Sequence, residues 1–248
     1  VTHLERMMSL DNVFTKDELK AWIQKTTEKR LLIELKIDGL AINLRYEKGI
    51  LKSAATRGDG VVGEDVTQNV KTIRTVPLKL EGVHHGATEV RGEIVMAKST
   101  LARLNTRYER DGTQLLANTR NAAAGSVRQL DPRLTRERSL DFFAWDIAEC
   151  EDRTFATHSE KHAYARELGF QVAPFECVCN TIEDAERVID TIADKRDDLD
   201  YGTDGVVIQV NELGLHDVLG VVGKAPRYAI AYKYPAEQAT TTVTAISV

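Results

Sequence analysis

Three strand-like runs follow one another between residues 31 and 56 with almost nothing between them. The first lies near 31–37, the second near 41–46 and the third near 50–56, after the turn Glu47-Lys48-Gly49. Connections this short leave no room for a crossover helix, so the strands are expected to pair antiparallel. Side chains alternate along a strand. In Leu32-Ile33-Glu34-Leu35-Lys36-Ile37-Asp38-Gly39, Ile33, Leu35 and Ile37 face one way, and Glu34, Lys36 and Asp38 face the other. A lysine held between two carboxylates on one rigid face is a candidate nucleophile. The same pattern also describes a half-buried strand with a solvated polar face.

Around these strands the spacing predicts helices. Thr15-Lys16-Asp17-Glu18 reads as a capping box opening a helix over about 15–29. Arg57-Gly58-Asp59-Gly60 reads as a glycine-rich loop, and 64–70 as a short helix. A strand near 89–95 precedes a helix over 99–110, and 118–129 reads as a loop with a short helix. Leu140 to Ile147 is apolar and aromatic, the pattern of a buried strand. Helices near 158–168 and 181–196 flank a strand near 171–178, and 204–210 and 229–234 read as buried strands. The fold class is therefore α+β.

The chain has 248 residues, 42% of them hydrophobic and 29% charged, which suits an ordinary globular core. We expect one domain over 1–236. A strand-like stretch from Thr240 to Val248 is expected to begin a second, truncated domain over 237–248. With Val1 in first position, both ends look cut from something longer.

A net charge of −5 argues against a chain that coats nucleic acid generally. DNA contacts would have to come from local patches, and the arginines between Arg91 and Arg138 are the candidate, with a solvated helix face as the plain alternative. The acidic segment from Glu176 to Asp200 would repel phosphate. Cys150, Cys177 and Cys179 have neither disulfide-framework nor zinc-site spacing, so reduced thiols in a cytosolic protein are expected. The six histidines suggest no metal cluster, with His84-His85 in a loop. No apolar run reaches the length of a membrane span.

Six segments then stand in order: Lys36-Ile37-Asp38-Gly39, Thr56-Arg57-Gly58-Asp59-Gly60, Glu89-Val90-Arg91-Gly92-Glu93, the run from Asn118 to Gln129, Asp204-Gly205-Val206-Val207-Ile208, and Lys224 to Lys233. The fourth contains Arg120-Asn121-Ala122-Ala123-Ala124-Gly125-Ser126. Together they closely resemble the adenylation (nucleotidyltransferase) domain of bacterial NAD-dependent DNA ligases, over nearly the whole chain. The resemblance implies an α+β nucleotidyltransferase fold, an ATP-grasp-like ligase fold with antiparallel sheets flanked by helices. It implies that Lys36 attacks the α-phosphate of NAD, releases nicotinamide mononucleotide and forms a lysyl-AMP phosphoramidate. An amine attacks phosphorus only when neutral, so nearby cations should help strip its proton. Mg²⁺ or Mn²⁺ is the implied metal. The implied partner is nicked duplex DNA, sealed in replication and repair by a bacterial cytoplasmic protein that works as a monomer.

Residue roles follow from the same resemblance. Glu34 would hydrogen-bond the adenine, and Trp145 would stack on it, although a Trp beside Phe142 and Phe143 also suits a core. Asp38 and Arg57 would contact the ribose and phosphate region, with Asp38 counted as catalytic. Glu93 would touch ribose or metal, with Arg91 as its alternative ion-pair partner. Arg120 and Arg128 would meet phosphate or nicked DNA, and Lys233 the α-phosphate. Arg196 would lie near the nucleotide or, equally, form a surface ion pair. Ser9 and Leu10 would complete the nucleotide contacts. One position departs: where the family usually has lysine, this chain has Gln209, which can hydrogen-bond but carries no charge. The resemblance also implies a nicotinamide-gripping domain before this chain and an OB-fold, zinc finger, helix–hairpin–helix and BRCT domains after it. An ATP-using nucleotidyltransferase and a non-catalytic DNA-binding module remain the rival readings.

Overall fold

The structure is a computed structural model and describes residues 1–26, 30–83, 85–234, 242, 244 and 245. In chain order the elements are β1 (Asn12–Val13), α1 (Lys16–Lys25), β2 (Leu31–Ile37), β3 (Leu40–Glu47), β4 (Ile50–Thr56), α2 (Thr67–Val70), β5 (Ala87–Val95), α3 (Lys98–Arg110), α4 (Thr119–Val127) and α5 (Pro132–Glu137). They continue with β6 (Asp141–Cys150), α6 (His158–Glu167), β7 (Gln171–Val172), β8 (Glu176–Cys179), α7 (Ile182–Lys195), β9 (Thr203–Val210), α8 (His216–Leu219), β10 (Val221–Val222), β11 (Ala225–Pro226) and β12 (Ala229–Lys233).

Two five-stranded sheets carry the fold, ordered β1-β12-β9-β2-β8 and β4-β3-β5-β6-β7. Among the described residues, pairing is antiparallel except at two edges, β1 with β12 and β6 with β7. The fold is thus α+β with mainly antiparallel sheets, as the short connections require. Lys48 and Gly49 both take positive φ, 50° and 74°, which matches the twist of a two-residue hairpin between β3 and β4. Helix α1 starts at the expected capping box: the Thr15 hydroxyl accepts from Glu18 N at 3.2 Å, and Glu18 Oε2 accepts from Thr15 N at 3.2 Å. Its Leu19 and Ile23, one turn apart, pack on the first sheet's core with Ile33, Val206 and Ile208. Burying each such side chain contributes about 1.5–3 kcal/mol. A second core forms on the other sheet around Leu44, Tyr46, Ile94 and Phe142.

Some elements differ from the sequence reading. The run near 171–178 is two strands, not one: β7 joins the second sheet and β8 joins the first. Pro174 lies between them and has no N–H to donate to a ladder. The helix expected over 64–70 is only α2, because Glu64 and Val66 are tied to the ends of β4 through Thr56 N→Glu64 O and Val66 N→Ala54 O. The far end of the helix expected over 15–29 and most of the stretch from Thr240 to Val248 lie outside the described residues, as does His84. No helix among the described residues is long and apolar enough to cross a membrane.

Candidate active site

Lys36 ends the regular part of β2. Its ladder partner on β9 is Gly205, which is also the partner of Lys233 on β12. The two lysines thus flank a residue with no side chain. A Cβ at Gly205 would lie 2.1 Å from the Tyr232 carbonyl, so β9 and β12 approach more closely than any other residue allows. The register shifts after Lys36, leaving Asp204 as the extra residue of a bulge. A bulge re-aims a side chain. Here it turns Asp204 onto both lysines: Lys36 Nζ lies 3.0 Å from Oδ1 and 3.2 Å from Oδ2, and Lys233 Nζ lies 3.2 Å from Oδ2. Asp38, just beyond β2, pairs with Arg120 of α4 at 3.1 Å. Asn118 caps that helix by accepting from Asn121 N at 2.8 Å, which fixes where Arg120 starts.

The other end of the same strand face is dry. Glu34 is 4% exposed. Gln209 Nε2 donates to its Oε1 at 3.1 Å, and His162 Nε2 lies 3.7 Å from its Oε2. That second oxygen is buried and accepts no hydrogen bond among the described residues. Burial pushes the carboxyl up to about 7, against the pull of His162. His158 and His162 of α6 both turn Nε2 to the Trp145 carbonyl, at 2.9 and 3.0 Å. That carbonyl is free because Trp145 is the unpaired residue of a register shift in β6. The structure therefore gathers histidines where the sequence reading expected none together: ligand-type atoms of Glu34, His158 and His162 lie within 4.8 Å of one another.

Both ends line one cavity of about 720 Å³ between the two sheets. Ser9, Leu10, Arg57, Glu93, Trp145 and Arg128 also line it. Arg57 opens the glycine-rich loop. Gly58 holds φ 58°, where a Cβ would lie 1.8 Å from the Val62 carbonyl, so that turn demands glycine. Burial pushes the Glu93 carboxyl up to about 7, with Lys36 opposing and Asp38 adding to the rise. Glu93 and Asp38 offer carboxylate oxygens, the donors a hard divalent cation prefers.

A sequence profile described as the NAD-dependent DNA ligase adenylation domain matches residues 1–237. The chain belongs to that family. A DNA ligase from Acetivibrio thermocellus is 46% identical over 253 residues, covering 100% of this chain and 38% of its own length. One from Bacillus cereus strain AH820 is 44% identical, covering 99% of this chain and 37% of its own. The adenylation domain thus spans under two fifths of the relatives it matches. Among solved structures, an archaeal ATP-dependent RNA ligase superposes with a TM-score of 0.52 at 15% identity, over 92% of this chain and 48% of that one; this likeness concerns the fold alone.

Within this adenylation domain, Ser9, Leu10, Glu34, Lys36, Asp38, Arg57, Glu93, Arg120, Arg128, Trp145 and Lys233 come together around the cavity. Arg196 does not line it. It follows α7, pairs with Asp197 at 3.4 Å and lies 5.2 Å from the Tyr234 ring centroid. Arg128 is exposed and bound to Glu64 at 2.6 Å. Arg91 is neither a surface cation nor the partner of Glu93. It is 5% exposed on the inner strand β5 and donates to the Glu5 carbonyl at 2.9 Å. Gln209 lies beside Glu34, beyond it from Lys36, so a phosphate role at that position has no support in the geometry. Asp204 was legible only as part of a motif. His158 and His162 were missed, although their i, i+4 spacing on a helix with a Thr157–Glu160 capping box was there to read.

Proposed function

We propose that this domain transfers the adenylyl group of NAD to Lys36, as the first step of DNA nick sealing by a longer protein. The observation that carries the reading is the cavity's polarity. Two lysines share one carboxylate at one end, and a buried carboxylate with an open acceptor waits at the other. Adenine sits at the Glu34 end, its amino group donating to Glu34 and its face against Trp145. In this reading the phosphates lie toward Lys36, Lys233, Arg57 and Arg120.

Lys36 gives a proton to Asp204, the carboxylate within reach, and its neutral amine attacks the α-phosphorus. The new P–N bond forms as the P–O bond to nicotinamide mononucleotide breaks; that mononucleotide leaves with the bonding pair, and its phosphate takes up the proton the nitrogen sheds on becoming the phosphoramidate. Lys233 and Arg120 face the charge that develops on the non-bridging oxygens. Glu93 and Asp38 are the residues that would hold Mg²⁺ or Mn²⁺, which supplies further charge stabilisation when bound. In the longer protein the AMP passes to a 5′-phosphate at a nick, with Arg120 and Arg128 on the DNA side, and a 3′-hydroxyl displaces it. Residues 237–248 belong to the following domain in this reading.

Calorimetric titration with NAD and with AMP tests the nucleotide pocket. Saturable binding of both is expected, weakened about ten- to hundredfold in Glu34→Ala, the effect of losing a hydrogen bond to a charged group. A folded chain that binds neither nucleotide overturns the reading.

A further inference from the structure

A carboxylate as deeply buried as Glu34 stays ionised only with a counter-charge against it. The surroundings offer few. Gln209 on β9 is a neutral amide. His158 on α6 is neutral, because burial drives it down to about 3. Lys161, also on α6, is engaged by Asp146 of β6 at 2.8 Å, and Arg91 faces Asp146 as well. Glu176, opposite Glu34 on β8, carries a like charge and is held by Arg166 at 2.6 Å. That leaves His162. Its Nδ1 lies 2.5 Å from Glu176 Oε2, and its Nε2 faces the Trp145 carbonyl at 3.0 Å and Glu34 Oε2 at 3.7 Å. Among the described residues, every partner of both ring nitrogens is an acceptor. A neutral imidazole would turn a lone pair onto one of them, whereas an imidazolium donates to both sides. The surroundings agree: burial opposes the charge, but Glu34, Glu176 and the Trp145 carbonyl raise His162 to about 9.

We propose that His162 is the fixed counter-charge that keeps Glu34 ionised, and that it thereby makes the pocket select a 6-amino purine over a 6-oxo purine. This rests on the reading that the purine sits at the Glu34 end. An ionised carboxylate only accepts, so it matches an exocyclic amine and repels a carbonyl oxygen. A protonated Glu34 would carry an O–H able to donate to a 6-oxo group, and the distinction would fade. His162 is a positioning residue: it acts through Glu34 and touches no reacting atom. Gln209, where the family resemblance leads one to expect lysine, is the other side of the same arrangement. The cation beside Glu34 comes from α6 instead of β9.

The test titrates the wild-type chain, His162→Gln and His162→Gln/Gln209→Lys with AMP and with IMP just above neutral pH. The wild type is expected to favour AMP by about tenfold or more. His162→Gln should still bind, with the AMP:IMP ratio reduced about tenfold, and Gln209→Lys should restore it by placing a cation on the opposite side of Glu34. A ratio unmoved by His162→Gln overturns the proposal. If His162→Gln fails to fold, Gln209→Lys alone decides. Acidification below the Glu34 value of about 7 should erode the wild-type ratio but spare the lysine variant, and equal erosion in both overturns it. Imidazole ¹⁵N shifts read the charge of His162 without any nucleotide. A neutral ring at neutral pH overturns the counter-charge. A charged ring in a chain that binds no nucleotide overturns the adenine pocket and the selectivity drawn from it.

Discussion

Glu34 and Lys36 are two residues apart on one face of β2, yet they live in opposite surroundings. Glu34 is 4% exposed and flanked by Gln209 and by His162, which is itself held on the Trp145 carbonyl. The Lys36 side chain is 26% exposed and stands over a glycine, in a group of two lysines around one aspartate. The difference is set by what β9 brings near each residue: Val207 lies opposite Glu34 and the Gln209 side chain reaches over from two residues along. A long amide beside Glu34 closes that end, and Gly205 opposite Lys36 keeps the other open. One strand can then serve recognition at a dry end, where a misplaced charge is costly, and chemistry at a wet end, where proton exchange is easy.

The sharpest way to break this comparison is at the wet end. Lys36→Arg keeps the charge but not a deprotonatable amine, so covalent AMP attachment should vanish while AMP binding persists. Intact-mass measurement after incubation with NAD and Mg²⁺ reads this in the longer protein. An adduct surviving in that variant would move the nucleophile to another lysine, with Lys233 the first to test.

Next in size is Gly205→Ala. With its Cβ 2.1 Å from a backbone oxygen, β9 and β12 must part, and a loss of about 1–3 kcal/mol is expected in urea unfolding. Full stability would mean that the close approach is unimportant to the lysine end.

The dry end should show in the pH dependence of stability. Glu34 and His162 both hold protons more tightly in the folded state, at about 7 and about 9, than in the unfolded chain. The folded state then binds more protons, so their contribution to stability falls as pH rises. It falls through the window from the ordinary Glu value to about 7 for Glu34, and from the ordinary His value to about 9 for His162. His162→Gln should flatten the upper part of the curve, and an unchanged slope there would contradict a charged His162.

The smallest effect is expected at the rim. Arg128 meets Glu64 at 2.6 Å in the open, and Arg128→Ala should cost less than about 1 kcal/mol in stability. Nucleotide affinity should hardly change. A large loss of AMP binding would place Arg128 inside the pocket's energetics.

The order of elements, the antiparallel pairing of β2, β3 and β4, and the alternating face of Glu34, Lys36 and Asp38 were legible from the residues. Strand alternation, hairpin chemistry and capping are local, and local physics writes itself into adjacent residues. The ordered motifs likewise brought the lysine end of the cavity into view. Only the tertiary structure decided the rest. It divided 171–178 between two sheets, left Arg196 off the cavity and put Arg91 inside. It used a bulge to aim Asp204 at Lys36, and brought α6 over β2 so that His162 reaches a glutamate 128 positions earlier in the chain. Such contacts join residues far apart in sequence. Their strength comes from exclusion of water, which depends on every element packed around them and so is carried by no single stretch of the chain.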